Sequence, residues 1–335
     1  MNLIQSEGPP LELSGGVNRL VSVKKVVLIC HGSYEERCQG LMRVEWSDVS
    51  IVLAVVLATK ESYELIPLYR ERCERLVAHL ELVSGRKCRT VLVSREDPIG
   101  WMRELDGVLQ SVLKADFESI AVDISTFPRE RLVGVFGYFG RLALKLPTIV
   151  LYTEPHGYAS EKDNEGWLSR GIRSVAAIPG FNGRQDIRKR ALLILVVGHE
   201  RERAYLTIKN VEPDKVLLVN QGVDQYRHGA PRIADQMRQF LTAEFMPLMV
   251  NNEEFSVSSR DYIGTKGLIC RLIEKYQSDF NLTVASYGPK LQTLGVALAA
   301  IDKPSIRVVH AQPQVYNVIE YSSGIGRTWI ALVTI

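Results

Sequence analysis

"VVLICHGSYEER" (residues 26–37) decides the fold, because a similar stretch, "LLILVVGHERER" (residues 192–203), opens the second half of the chain. In both stretches an apolar run is followed by a glycine and then by a Glu-Arg pair. The matched residues are Gly32, Glu36 and Arg37 in the first stretch and Gly198, Glu202 and Arg203 in the second. A short apolar run rich in β-branched residues predicts a buried strand, and the glycine after it predicts a tight loop.

Around these two stretches, β-branched runs alternate with segments of helical period, which predicts a parallel sheet covered by helices. In the first half the predicted strands are residues 25–30, 49–57, 89–93, 119–122, 148–152 and 174–178. We therefore predict an α/β fold of two tandem Rossmann-like units with parallel sheets, related by internal duplication. The predicted limits are 1–22 for an N-terminal tail, 23–180 for the first domain and 190–335 for the second.

Further matches in the same order support the duplication. The pairs are Ser94 and Arg95 with Ser259 and Arg260, Ser125 with Ser286, Arg129 with Lys290, Tyr158 with Tyr316, and Arg173 with Arg327.

The composition narrows the classes of protein. The 335 residues are 46% hydrophobic and 24% charged, which is typical of a globular chain with two cores. A net charge of +3 argues against general DNA binding, which needs many cations on one face. Five cysteines, without C-x-x-C spacing, fit a reducing compartment. The apolar runs are too short to span a membrane, so we expect a soluble cytoplasmic protein.

Most of the matched polar residues follow a strand directly. In an open parallel sheet such residues meet at the carboxyl edge, where ligands bind. Hydroxyl groups and arginines at this edge suit a nucleotide. The candidate ligand-binding residues are Gly32, Ser33, Glu36, Arg37, Ser94, Arg95, Asp123, Ser125, Thr126, Arg129, Tyr158, Arg173, Gly198, His199, Glu202, Arg203, Ser259, Arg260, Ser286, Lys290, Tyr316 and Arg327.

The same residues have a structural interpretation. Serine and threonine after a strand are common helix caps, and Pro128 fits the start of a helix. Asp123 at a strand end fits an acid that orients the following loop. The two Glu-Arg pairs fit simple ion pairs early in a helix.

The common catalytic signatures are absent from the sequence. It has no P-loop, no G-x-G-x-x-G after the first strand, no G-x-S-x-G elbow and no H-E-x-x-H helix. The histidines lack metal-site spacing. We therefore assign no catalytic residues, expect neither metal nor cofactor, and favour a protein that is not an enzyme.

"VDISTFPRERL" (residues 122–132), placed after the fourth strand and before a helix, resembles the signature of CRISPR-associated Rossmann-fold (CARF) domains. Asp123 stands at the family's Asn position, Ser125 and Pro128 at its two Thr positions, and Arg129 at its Lys position. Thr126 and Phe127 replace the family's paired glycines. The loop "CHGSYEER" resembles the second ligand-facing loop of such domains.

The resemblance implies that two Rossmann-like domains bind a cyclic oligoadenylate across a two-fold axis, in prokaryotic defence against phage. Because two units account for the chain, the output of such a sensor would be a separate effector protein or a change in its own assembly. Three functions stay open: a non-catalytic nucleotide sensor, a nucleotide-processing enzyme (a metal-independent phosphodiesterase or a glycosidic-bond hydrolase), and a structural subunit that binds a protein.

Overall fold

The computed structural model describes residues 7–17, 20–97, 99–111, 117–142, 146–158, 167–222, 230–250 and 255–335, with backbone alone for 230–234. The chain forms two compact units. Unit 1 consists of Met1–Pro128, Tyr138–Gly157 and Ser322–Ile335, and unit 2 of Arg129–Gly137 and Tyr158–Tyr321.

Unit 1 is built on a mostly parallel sheet. Its strands are β1 (Leu11–Glu12), β2 (Lys25–His31), β3 (Ser50–Thr59), β4 (Arg89–Val93), β5 (Ser119–Asp123), β6 (Thr148–Thr153) and β15 (Thr328–Val333), in the spatial order β1-β15-β6-β5-β2-β3-β4. The helices of this part of the chain are α1 (Lys60–Leu65), α2 (Pro67–Ser84), α3 (Gly100–Gln110) and α4 (Arg129–Leu142), and residues 36–43 form a 3-10 helix.

The strands from β6 to β4 run parallel, and β15 pairs antiparallel with β6. The strand β2 is central because its apolar residues are buried on both faces. Six of its seven residues are buried, as expected of a parallel strand between two layers of helices.

Unit 2 repeats this plan. Its strands are β8 (Ser169–Ala177), β9 (Arg190–Val196), β10 (Lys215–Gln221), β11 (Phe255–Val257), β12 (Phe280–Ser286) and β13 (Arg307–Tyr316), in the order β11-β10-β9-β12-β13-β8. Its helices are α5 (Arg201–Val211), α6 (Ala230–Glu244), α7 (Tyr262–Tyr276) and α8 (Lys290–Asp302), with a 3-10 turn at Met246–Leu248. Two short strands, β7 (Gly157–Tyr158) and β14 (Ser322–Ser323), form a separate ladder.

The predicted fold class is confirmed: the protein is α/β, with two largely parallel sheets of the Rossmann-like order. In both sheets the first parallel strand, β2 or β9, lies in the interior, and one antiparallel strand, β15 or β8, follows the end of the parallel series. The shared order agrees with an internal duplication, which itself stays a prediction.

The compact units do not coincide with the predicted domain limits, 23–180 and 190–335: described residues before Val23 belong to unit 1, and Arg129–Gly137 belongs to unit 2. The strand β8 belongs to the sheet of unit 2, and the C-terminal strand β15 belongs to the sheet of unit 1. Each half of the chain thus gives its last strand to the other sheet. The sequence does not reveal this exchange, because an antiparallel strand pairs over a long sequence distance and its apolar pattern suits either sheet.

Each unit has its own apolar core. In unit 1, side chains of β2, β3 and β6 pack with Ile330 and Leu332 of β15. In unit 2, side chains of β9 and β10 pack with those of α5 and α6, including Ile208 and Leu241. Among the described residues, no helix combines the length and apolar character needed to cross a membrane.

Candidate functional site

The carboxyl edge of the unit 1 sheet carries the loop that follows β2. The amide of Gly32 donates to the Leu57 carbonyl at 2.8 Å, and its carbonyl accepts from the Tyr69 hydroxyl at 2.8 Å. A Cβ at Gly32 would lie 2.3 Å from the Cys73 sulfur. The glycine therefore lets the loop pack closely on α2.

The stretch after β5 forms a buried turn. An Asp123 carboxylate oxygen accepts hydrogen bonds from the Ser125 amide at 3.0 Å and from the Ser125 hydroxyl. The Ser125 oxygen in turn accepts from the Thr153 amide at 2.7 Å. Burial raises the pKa of Asp123 from 3.8 to about 6, although the Ser125 hydrogen bonds and the Arg37 charge oppose the shift. Both side chains are thus used to hold the turn, as the structural interpretation predicts.

Two further candidate residues of this edge, Thr126 and Ser33, also form hydrogen bonds within unit 1. The Thr126 hydroxyl donates to the His31 carbonyl at 2.5 Å, and both residues are buried. Ser33 is buried, and its hydroxyl accepts from the Glu35 amide at 3.1 Å. Hydroxyl groups after a strand thus serve the loops themselves.

Arg37 is buried in an ion pair with Glu35, at 2.8 Å. The same carboxylate accepts from the Ser322 hydroxyl at 2.7 Å. The neighbouring Glu36 accepts from the amide of Gly324, at 2.6 Å. The 3-10 segment thus holds the residues that lead into β15.

The remaining candidates of unit 1 lie farther along the edge. Ser94 donates to Glu61 at 2.7 Å, and the Arg95 amide donates to the same carboxylate at 3.0 Å. Arg327 is exposed and contacts Glu12 at 3.4 Å. These contacts tie loops together at the surface.

In unit 2 a buried ionic cluster lies at the corresponding edge. Its centre is Glu200, which contacts the guanidinium groups of Arg129 at 2.5 Å and Arg203 at 2.6 Å. The Ser169 hydroxyl donates to Glu200 at 3.0 Å. Burial alone would raise the pKa of Glu200, but the charges of Arg203 and Arg129 outweigh it and hold that pKa well below its usual value. The carboxyl group is therefore ionised.

Arg203 extends the cluster toward β13. Its guanidinium donates to the Ala311 carbonyl at 2.9 and 2.7 Å and lies 2.9 Å from Nε2 of His310. That imidazole also lies 3.0 Å from Glu130. Burial lowers the pKa of His310, so the imidazole is neutral near pH 7.

The arrangement in unit 2 repeats that in unit 1. In both units a buried arginine forms an ion pair with a glutamate. That glutamate also accepts a hydrogen bond from a serine hydroxyl, which is Ser322 shortly before β15 in unit 1 and Ser169 in β8 in unit 2. A second glutamate accepts a hydrogen bond from the backbone amide of a glycine with positive φ. In unit 2 Glu202 accepts from Gly171 (φ 64°) at 3.0 Å, and in unit 1 Glu36 accepts from Gly324 (φ 68°). We call these two arrangements the strand clasps: Arg37, Glu35, Ser322, Glu36 and Gly324 in unit 1, and Arg203, Glu200, Ser169, Glu202 and Gly171 in unit 2.

An aromatic cluster lies beside the ionic cluster of unit 2. The ring of Tyr158 contacts the rings of His199 at 5.7 Å and Tyr321 at 6.3 Å between centroids, and Tyr321 contacts Tyr316 at 6.0 Å. Burial, followed by the charge of Arg129, lowers the pKa of His199 to about 4. This ring is therefore neutral near pH 7. Tyr158, His199 and Tyr316 are half-buried as whole residues.

The loop between β12 and α8 completes this edge. Arg129 donates to the carbonyls of Tyr287 at 2.9 Å and Gly288 at 3.2 Å. A Cβ at Gly198 would lie 1.7 Å from the Tyr287 carbonyl oxygen, so only glycine permits the close approach of the two loops. The Ser286 hydroxyl lies 2.9 Å from that of Thr293.

The last candidates of unit 2 border these loops. Ser259 is buried, and the Arg260 amide donates to the Ser258 hydroxyl at 3.2 Å in the turn after β11. Lys290, at the start of α8, is 9% exposed. Arg173 lies exposed on β8.

The structure thus brings Arg129, Arg203, His199, Tyr158 and Tyr316 together in unit 2, and the residues after β2 and β5 together in unit 1. The sequence reasoning missed four members: Glu35, Glu200, His310 and Tyr321. The two glutamates had a signal in the sequence, because each stands near the repeated Glu-Arg pair. Among the described residues no group of three or more His, Cys, Asp or Glu side chains is arranged to hold a metal ion.

Comparison with known proteins gives a fold similarity. No protein-family model and no curated protein sequence matches the chain. A type III CRISPR defence DNA nuclease that is activated by cyclic oligoadenylate is similar in structure, with a TM-score of 0.51 and 11% identity. The similarity covers 84% of this chain and 65% of the nuclease chain, so this chain spans about two thirds of that protein's length. The cytoplasmic domain of a prokaryotic cation chloride cotransporter matches over 88% of this chain and 98% of its own, with 10% identity and a TM-score of 0.25.

Proposed function

We propose that this chain is a non-catalytic sensor that binds a cyclic oligoadenylate and acts in cytoplasmic antiviral defence through a separate effector protein. The observation that carries the proposal is the fold similarity over 84% of the chain to a nuclease whose activator is a cyclic oligoadenylate. The resemblance of residues 122–132 to the CARF signature supports the same ligand class.

The carboxyl edge of unit 2 suits a nucleotide. Bases stack on aromatic rings, and base stacking contributes about 1–3 kcal/mol per base. The rings of Tyr158 and His199 lie in mutual contact, and the His199 imidazole is neutral near pH 7 because burial lowers its pKa to about 4. We therefore propose that an adenine stacks against this aromatic cluster.

Glycines after the strands and helix N-termini at the same edge suit phosphate. The buried Arg129 and Arg203 leave the ionic cluster with two cations around Glu200. These side chains hold the loops in place, and the backbone N–H groups of the loops and helix ends are the phosphate donors in this proposal.

Isothermal titration calorimetry of the full chain tests the proposal. Cyclic oligoadenylates of several ring sizes are titrated, with linear oligoadenylate and ATP for comparison. We expect saturable binding of a cyclic form that is tighter than that of its linear counterpart. If no cyclic form binds, the proposal is wrong.

A pair of tyrosine variants locates the site. Tyr158→Leu removes a ring of the aromatic cluster, and we expect it to weaken binding by about tenfold. Tyr276→Leu is the matched control, because Tyr276 packs against Phe280 at the amino end of β12, away from the carboxyl edge. Equal affinities of the two variants would contradict this location.

A further inference from the structure

The helix α8 begins without a side-chain cap at the carboxyl edge of unit 2. Its N-cap is Pro289, which makes no capping hydrogen bond, and the helix runs for 13 residues. The first backbone N–H groups of a helix lack intrahelical partners and carry a partial positive charge. Lys290, which is 9% exposed, is the first residue of this helix. An anion is therefore favoured here.

A second observation at the same place concerns Gln292, in the first turn of α8. Its side chain is fully buried, and its amide nitrogen donates to the Val257 carbonyl at 3.0 Å and lies 3.5 Å from the Ser258 carbonyl. These two acceptors fix the orientation of the amide, so Oε1 points away from them. Within the part of the chain that the structure describes, this oxygen has no hydrogen-bond donor. A buried acceptor without a donor is unfavourable, and most such groups find one.

The orphan oxygen faces the loop that precedes the helix. A Cβ at Gly288 would lie 2.2 Å from Oε1 of Gln292, so a side chain at this position would collide with the buried oxygen. The next residue, Pro289, has no N–H to donate. Oε1 of Gln292 is thus an acceptor beside the N-terminus of α8, and Pro289 cannot donate a hydrogen bond to it.

We infer that Oε1 of Gln292 accepts a hydrogen bond from the ligand and makes this edge selective for a nucleotide that carries a neutral hydrogen-bond donor close to the phosphate at the N-terminus of α8. This inference rests on the proposed function and assigns a specificity-determining residue to it. The donor is a neutral group within one nucleotide of the phosphate, either the ribose 2′-hydroxyl or the exocyclic amine of adenine. The 2′-hydroxyl is the group by which proteins distinguish RNA from DNA.

Calorimetry with three ligands tests the inference: the cyclic oligoadenylate that binds the wild type, its 2′-deoxy analogue, and its inosine analogue, which lacks the amine. We expect the wild type to bind one analogue at least about tenfold more weakly than the parent, because that analogue leaves Oε1 without its donor. The analogue that is rejected identifies the donor.

In Gln292→Met, which replaces the amide with a group of similar size, we expect equal affinities for the parent and that analogue. Gly288→Ala is a second variant, since its methyl group would lie 2.2 Å from Oε1 and 3.0 Å from Cγ1 of Val196 and so displaces the oxygen, and it should lose the selectivity as well. Gln221→Met is the matched control: this buried glutamine of β10 donates to the Val197 carbonyl at 3.3 Å. It should keep the selectivity.

Equal binding of all three ligands by the wild type overturns the inference and leaves the proposed function standing. Selectivity that survives in both Gln292→Met and Gly288→Ala overturns it as well. Failure of the wild type to bind any cyclic oligoadenylate overturns the proposed function and the inference with it.

Discussion

Replacing Glu200 with glutamine removes the one carboxylate that lies between the buried guanidinium groups of Arg129 and Arg203. The two contacts are 2.5 and 2.6 Å, and the Glu200 side chain is 1% exposed. Removing one partner of a buried ion pair leaves an uncompensated buried charge, which costs about 3–5 kcal/mol. We expect Glu200→Gln to lower the free energy of opening of unit 2 by this amount.

Two glutamates of the strand clasps provide graded controls. Glu35→Gln removes a carboxylate that pairs with one arginine, Arg37. Because the charge of Asp123 stays near Arg37, we expect the free energy of opening of unit 1 to fall by only about 1–3 kcal/mol. Glu202→Gln changes a carboxylate whose contact with Gly171 is exposed, and we expect a loss of at most about 1 kcal/mol.

Native-state hydrogen exchange is the suitable assay, because a chain with two units need not unfold in one step. Amides of β9 and β12 report the opening of unit 2, and amides of β2 and β5 report that of unit 1. Equal losses in Glu200→Gln and Glu202→Gln would refute the reasoning, because the buried carboxylate would then contribute no more than the exposed one.

Two further predictions concern the loops after the strands. The folded pKa of Asp123 is raised from 3.8 to about 6, so its contribution to stability is full below 3.8 and is lost as the pH rises through about 6. Asp123→Asn keeps an acceptor for the turn. In urea unfolding we expect this variant to be about 2–3 kcal/mol more stable than the wild type at pH 7 and equally stable below pH 3.8. A difference in stability that does not depend on pH would contradict this prediction. Gly198→Ala should destabilise unit 2 in thermal unfolding, because its Cβ would lie 1.7 Å from the Tyr287 carbonyl oxygen, whereas Gly107→Ala, with open space inside α3, should raise stability by about 0.5–1 kcal/mol. Similar melting temperatures of the two alanine variants would show that the loop after β9 relaxes freely.

The strands of the first half follow from local patterns, which is why the sequence predicts them well. The predicted strand 25–30 corresponds to Lys25–His31, and 119–122 to Ser119–Asp123. A buried parallel strand is a short apolar run between polar loops, and this signal needs no knowledge of distant residues. The exchange of β8 and β15 depends on pairing over a long sequence distance, which local patterns do not encode.

The sequence predicts where the candidate site lies in each sheet, but it predicts few of the hydrogen bonds and ion pairs that its residues form. Residues after strands do lie at the sheet edges, yet Asp123 and Ser125 bond to each other, because a buried polar group needs a partner. The sequence indicates part of the aromatic cluster. Tyr158 and Tyr316 are matched between the two halves of the chain, whereas Tyr321 has no counterpart in the first half. The partner of Arg129 is Glu200, 71 residues away in the chain, and no spacing rule indicates it.

Hydrogen exchange of the wild type with and without a cyclic oligoadenylate tests the central claim most directly, namely that the carboxyl edge of unit 2 binds a nucleotide. We predict that the ligand slows exchange in residues 197–200 and 287–292, which form the loop after β9 and the start of α8. Exchange that is unchanged in both segments at a saturating ligand concentration, with protection confined to the amino ends of the strands, would contradict the claim.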